Sequence, residues 1–128
     1  MDTDTVAYYL REVPAVVKRL EETSTGDRYL SLITVGEIYH GIYNSAQVQK
    51  NLLRYRRFFA QTKLLPFTPA VAQRFGEVKA GLQRRGEMIE DNDLWIAAHA
   101  LEYGTALVTN NGRDFSRIPG LRIENWLR

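Results

Sequence analysis

Two kinds of hydrophobic spacing alternate along this chain, and that alternation restricts its fold more than any other feature. Residues at helical spacing (Val6, Tyr9, Leu10; Val16, Val17, Leu20; Val35, Ile38, Tyr39, Ile42) are interleaved with short, dense apolar runs, Tyr29 to Thr34 (YLSLIT) and Ala106 to Thr109 (ALVT). Apolar residues three and four apart line one side of a helix, whereas a short β-branched run bounded by turn residues reads as a strand. Pro14 is placed to end one helix and open the next. Further helices are expected from Val48 to Phe59, over Val71, Phe75, Val78 and Leu82, and from Asp91 to Tyr103, with Gly86 and Gly104 as stops. Further strands are expected at Lys63 to Phe67, where Pro66 marks an edge or an end, and at Leu121 to Ile123, with Asn110-Asn111-Gly112 as a turn. Strands alternating with helices imply an α/β domain with a mostly parallel sheet. The 128 residues contain no linker or repeat, so a single domain over 1–128 is expected.

Composition removes several classes of chemistry. The chain has no cysteine, so disulfides, thiolate metal sites and Cys nucleophiles are excluded, and His40 and His99 alone make a poor zinc site. The longest apolar runs, Val6 to Leu10 and Leu94 to Ala98, are five residues, far short of the ~18 a membrane span needs. Met1 to Asp4 has neither the basic nor the apolar part of an export signal, so a cytoplasmic protein with no membrane partner is expected. Charge is uneven: from Gln47 to Arg85 there are nine Lys or Arg against one acid, Glu77, a net of +8 that leaves −6 for the rest. Such a segment attracts a polyanion or an acidic partner, or forms a solvated helical surface. Its aromatic residues Tyr55, Phe58 and Phe59 are expected in a core or interface rather than as base-stacking platforms.

Acids recur where helices begin: Asp2 and Asp4, then Glu37, then Glu90, Asp91 and Asp93. Each has an ordinary structural explanation. Asp2 or Asp4 caps the first helix, Thr34-Val35-Gly36-Glu37 has the pattern of a capping box, and Asp91 or Asp93 caps the Ala-rich helix. A parallel sheet nevertheless gathers strand-to-helix junctions at one edge. Carboxylates brought together there repel one another unless a cation neutralises them. All-oxygen ligands suit Mg²⁺ or Mn²⁺.

Four segments in order, Asp2-Thr3-Asp4, Thr34 to Gly41 (TVGEIYHG), Asp91 to Ala100 (DNDLWIAAHA) and Leu107 to Phe115 (LVTNNGRDF), together with Ile118-Pro119-Gly120-Leu121 and Glu124-Asn125-Trp126, carry a family likeness. Over nearly its whole length the sequence resembles the PIN-domain ribonucleases of the VapC toxin type. That resemblance implies a three-layer PIN-like fold with about five mostly parallel strands flanked by helices, an Mg²⁺- or Mn²⁺-dependent endoribonuclease, a homodimer, and a cognate VapB antitoxin. Asp2 matches the first metal aspartate of the family, Glu37 its glutamate, and Asp93 the aspartate ahead of the Ala-rich helix. Asp91 is then an accessory acid or a cap. At the fourth acidic position the chain offers Asn111, with Asp114 three residues on, and either can serve. The family also places an apolar strand before the first aspartate, whereas only Met1 precedes Asp2 here. The first strand is therefore expected to be cut off, leaving a gap bordered by unpaired backbone groups.

The implied catalytic set is Asp2, Glu37, Asp93, Asp114 and Asn111, with Asp2, Asp93 and Glu37 at the metal. Two other readings compete. Asp2-Thr3-Asp4-Thr5-Val6 fits the D-x-D-x-T/V signature of haloacid dehalogenase-like phosphatases, although no partner lysine stands out. Alternatively the chain is a non-catalytic RNA- or antitoxin-binding module whose acids serve only as caps.

Overall fold

The computed structural model describes residues Met1–Leu127; Arg128, the last residue of the expected 1–128 domain, lies outside the described residues. Helix α1 (Thr3–Leu10) starts at its cap residue Asp2, and α2 (Pro14–Glu22) starts at Pro14, whose missing N–H has no partner to lose in a first turn. A 3₁₀ turn over Thr25–Asp27 leads to β1 (Tyr29–Ser31), α3 (Leu32–Tyr43) and α4 (Val48–Phe59). Strand β2 (Lys63–Leu65) ends at Pro66, after which Thr68 caps α5 (Pro69–Arg85). Helix α6 (Asp91–Tyr103), β3 (Leu107–Val108), α7 (Gly112–Phe115) and β4 (Ile123–Glu124) complete the order. Gly86 and Gly104 stop α5 and α6 in the left-handed conformation (φ 66° and 65°), which costs a glycine little.

The longest expected strand is the one most altered. Of Tyr29 to Thr34, only Tyr29–Ser31 is extended, and Leu32 to Thr34 form the first turn of α3. Ser31 decides the boundary, because its hydroxyl accepts from the Ile33 N–H (3.2 Å) and caps the helix three residues earlier than a Thr34 capping box would. The turn sequence at Asn110 to Gly112 likewise runs directly into the short α7.

The strands form two parallel pairs, β1 with β2 (Leu30 opposite Leu64) and β3 with β4 (Leu107 opposite Ile123). Four strands are thus seen among the described residues where about five were expected. Met1 and Asp2 connect the two pairs. The terminal ammonium of Met1 donates to the Tyr29 carbonyl (3.3 Å), and the Asp2 N–H donates to the Val108 carbonyl (2.9 Å). Beyond them the line of the sheet opens into a cavity of about 340 Å³ lined by Tyr29, Ser31, His99, Leu107 and Val108. Burial there pushes the Met1 ammonium down from 8.0 to about 6.

Two apolar clusters flank this line. Val6, Leu20, Leu30, Ile38, Tyr55 and Phe58 join α1 to α4, while Leu82, Leu94, Ile96, Leu107 and Phe115 join α5, α6, β3 and α7. Tyr55 and Phe58 are buried and Phe59 packs against them, so all three serve the core. The start of α1, the second turn of α3, the first turn of α6 and the short α7 carry the acids considered next.

Candidate active site

Asp2 is held at both carboxylate oxygens. As the cap of α1, its Oδ1 accepts from the Thr5 N–H (3.0 Å), and its Oδ2 accepts from the buried Thr109 hydroxyl (2.5 Å). Thr109 closes β3, and its oxygen also accepts from the Asn111 N–H (2.9 Å). The Thr5 hydroxyl donates to the Val108 carbonyl (3.3 Å), which ties the start of α1 to the end of β3 a second time. The capping reading of Asp2 is therefore correct for one oxygen, and the other is left on the sheet edge.

Glu37 is not part of a capping box. Ser31 takes that position, and Thr34 lies buried inside α3 with its hydroxyl donating to the Met1 carbonyl (3.4 Å). The Glu37 carboxylate instead crosses to α1, where Oε1 accepts from the Thr3 hydroxyl (2.7 Å). The caps proposed for α6 also fail. Glu90 occupies the cap position without a side-chain bond, and Asp91 forms an exposed ion pair with Lys79 (3.0 Å). Asp93, half-buried in the first turn of α6, has no hydrogen-bond or ion-pair partner among the described residues. Its carboxyl is pushed up from 3.8 to about 6, first by burial and then by the charges of Glu37, Glu90, Asp2 and Asp114. Acids from four segments therefore act on one carboxyl.

At the fourth acidic position Asn111 and Asp114 form a unit. The Asn111 amide donates to Asp114 Oδ2 (3.1 Å), and Arg117 lies 3.8 Å from Asp114 Oδ1. Asp4 is exposed and is not among the acids acting on Asp93. His40 is exposed on α3, while His99 is fully buried with Nδ1 2.9 Å from Ser31 Oγ. Burial lowers the pKa of His99, and neither histidine joins the acids.

Among the described residues, no three His, Asp or Glu side chains stand close enough to hold an ion together as they are placed. The donor chemistry nevertheless fits a hard divalent cation. Mg²⁺ is usually bound by one or two carboxylates with several retained waters. Asp2 and Asp93 match that requirement, and the unpartnered carboxyl of Asp93 is the group such a cation would relieve.

The sequence pattern of the PIN domain matches residues 1–121. The chain belongs to the PIN domain family. It is 36% identical over 127 residues to "Ribonuclease VapC2" of Haemophilus influenzae, covering 99% of this chain and 96% of that protein. It is 32% identical to the "tRNA(fMet)-specific endonuclease VapC" of Salmonella typhimurium, covering 98% and 96%. Among solved structures, that of VapBC2 from Rickettsia felis bound to a promoter DNA fragment contains a chain that superposes with a TM-score of 0.91 at 30% identity, covering 98% of this chain and 96% of that one. The PIN fold expected from the motifs is thus the fold of this chain.

Sequence reasoning named the acids of this PIN domain but missed their hydroxyl partners. Thr3 and Thr109 each donate to a named acid. Thr3 stood inside the Asp2-Thr3-Asp4 segment and Thr109 at the end of the ALVT run, so their positions were marked even though their partners were not.

Proposed function

We propose that this PIN domain is a metal-dependent endoribonuclease, the toxin of a toxin–antitoxin pair, with Asp2, Glu37, Asp93 and Asp114 as its acids and Asn111 orienting the last. The observation that carries this reading is Asp93, a carboxyl with no partner of its own raised to about 6 by burial and four neighbouring acids. Asp2 caps α1, Asp91 pairs with Lys79, Glu37 accepts from Thr3 and Asp114 from Asn111, but no such structural role accounts for Asp93. Perturbation of this kind marks functional sites.

Asp2 and Asp93 would hold Mg²⁺ or Mn²⁺, with Glu37 reaching it through an ordered water. When bound, the ion supplies neutralising charge to the phosphate and makes a coordinated water more acidic. Glu37, fixed by Thr3, orients the attacking water and accepts its proton. Thr109 and the Thr5 N–H hold Asp2 so that its carboxylate keeps one direction through the reaction. Attack in line with the leaving oxygen breaks one phosphodiester bond of RNA and adds one water across it.

Similarity to proteins named ribonuclease and endonuclease VapC, and to structures titled as VapBC complexes, supports RNA as substrate and a VapB-type antitoxin as partner. Assembly as a homodimer in the cytoplasm belongs to the same reading.

The test is incubation of total RNA with purified protein in Mg²⁺ or in EDTA, alongside Glu37→Gln and Asp93→Asn. Discrete metal-dependent fragments from wild type alone are expected. Equal fragments from Asp93→Asn would overturn the assignment. Metal-independent RNA binding without cleavage would favour the non-catalytic module.

A further inference from the structure

Helices α1, α3 and α5 each begin on a side chain that caps them, Asp2, Ser31 and Thr68. Helix α6, which carries Asp93, begins without one. The segment leading into it, Gly86 to Glu90, is fastened instead by two arginines. Arg117, just beyond α7, donates through Nη1 to the Met88 carbonyl (3.2 Å), and the same nitrogen stands 3.8 Å from Asp114 Oδ1. At that distance the second contact is Coulombic rather than a hydrogen bond. Arg85, at the end of α5, pairs with Glu87 (3.4 Å) and donates to the Arg117 carbonyl (2.9 Å). Ile89, within the same segment, is buried in one apolar cluster with Phe115 and Ile118. Of the ion pairs among the described residues, that of Arg117 is the one that reaches any of the acids Asp2, Glu37, Asp93 and Asp114. Asp114 is thus held at one oxygen by Asn111 and approached at the other by a cation that also bonds to the entry of α6.

We propose that Arg117 is a positioning residue, which bridges the Met88 carbonyl and Asp114 and so fixes the acid of α7 relative to Asp93, five residues beyond Met88. This rests on the nuclease reading for its purpose, since the acids being placed are those of that reading. Asp114 is among the acids whose charge acts on Asp93, so the two are near enough for their spacing to matter. The charge of Arg117 taken alone works against a metal site, because a cation beside the acids repels a divalent ion. Placement accounts for it where electrostatic help does not. A guanidinium suits the task, being planar, always charged and directional, whereas a lysine ammonium offers the charge without fixed directions. The side chain is only 30% exposed and its Nη1 is already engaged. It is therefore built into the fold rather than offered to an RNA phosphate, and it acts through Asp114 and the α6 entry rather than on the bond.

The experiment measures Mn²⁺ binding by calorimetry to wild type, Arg117→Ala, Arg117→Lys, Asp114→Ala and the double variant Arg117→Ala/Asp114→Ala. Arg117→Ala should weaken binding by about tenfold, the effect expected when a group behind the metal ligands is lost, even though a cation has been removed. Arg117→Lys should recover part of that loss. In the Asp114→Ala background, Arg117→Ala should change the affinity by no more than about twofold, because no acid remains to be placed. Should Arg117→Ala fail to fold, Arg117→Lys makes the same comparison in both backgrounds. Unchanged or tighter Mn²⁺ binding by Arg117→Ala would overturn the proposal. Equal losses in both backgrounds would also overturn it, by making Arg117 a support of α6 whatever Asp114 does. Anisotropy of a labelled single-stranded RNA on Glu37→Gln protein supplies a further check: Arg117→Ala should leave the log–log salt slope unchanged. A slope flatter by ~0.7 would make Arg117 a phosphate contact instead. Metal binding is read without cleavage, so the two readings fail separately. A wild type that cuts no RNA yet shows the coupling keeps the positioning role and removes the nuclease, metal-dependent cleavage without coupling removes the positioning role alone, and no Mn²⁺ binding by wild type removes both.

Discussion

Removing the charge of Asp93 should stabilise the metal-free protein, in a direction opposite to most substitutions at a half-buried polar residue. The carboxyl is raised from 3.8 to about 6, and at full weight that is ~3 kcal/mol disfavouring the ionised form. Asp93 stays half exposed, and solvent screening reduces the figure to ~1–1.5 kcal/mol. Its charge also lies in the first turn of α6, where the helix dipole returns ~0.5 kcal/mol that Asn forgoes. The net expectation is that Asp93→Asn is about 1 kcal/mol more stable than wild type in EDTA at pH 7.5. The sign follows from linkage. The folded protein binds this proton more tightly than the unfolded chain, so wild type has its full stability below about pH 4 and loses the contribution as pH rises through about 6. The advantage of Asn should therefore be flat above pH 7, shrink below 6 and vanish or reverse near 4. Urea unfolding of both proteins at pH 4.5, 6 and 7.5 measures it. A variant that is less stable at pH 7.5, or a difference that ignores pH, would show that the surrounding acids do not load Asp93. Excess Mn²⁺ should then reverse the order, raising wild type by ~1.4 kcal/mol at ten times its dissociation constant and the variant by much less.

Thr109→Val keeps the shape of a buried side chain but removes the hydroxyl that donates to Asp2. It should cost ~2 kcal/mol in urea unfolding and weaken Mn²⁺ binding at least ~10-fold by calorimetry; unchanged metal affinity would remove Thr109 from the support of the site. His99, buried neutral beside Ser31 with a lowered pKa, contributes stability above its ordinary titration range that is lost as pH falls. His99→Gln should thus be less stable than wild type at pH 7.5 and close the gap toward pH 5, a slope opposite in sign to that of Asp93; a constant difference would refute it.

The helices were legible because their evidence is local. Spacing of Val71, Phe75, Val78 and Leu82 and the glycines at 86 and 104 required nothing beyond neighbours in sequence. The strands were less so. Tyr29 to Thr34 is apolar enough for either structure, and one serine side chain decided the boundary by capping α3. The acids were legible as a set, since three separate segments each carried at least one. Which would cap and which would remain free was not, because Thr34-Val35-Gly36-Glu37 is a sound capping box in sequence and loses only because the helix has already begun. Partners brought in from afar, such as Thr109 for Asp2 across 107 positions, leave no local trace. The tie from Arg117 to the Met88 carbonyl is hidden for the same reason, with 29 positions between them.

The hydroxyl partners explain how a fold tolerates this much negative charge before any cation arrives. Asp2 receives a hydroxyl and a backbone N–H, Glu37 receives a hydroxyl, and Asp114 receives an amide, so each of these carboxylates has part of its lost hydration replaced. Hydrogen bonds to a carboxylate contribute ~1.5–3 kcal/mol each and fix its direction as well as its charge state. Among the four acids Asp2, Glu37, Asp93 and Asp114, only Asp93 receives none among the described residues, and it is also the one on which the others act. A site evenly supplied with donors would be more stable and would offer a cation little to relieve. Leaving one carboxyl without a partner, in the midst of several that are held rigid, concentrates the unfavourable energy at a single oxygen pair. On the proposed reading that pair is where a divalent ion would gain most by binding, and the rigid neighbours would define the direction from which it and the phosphate approach.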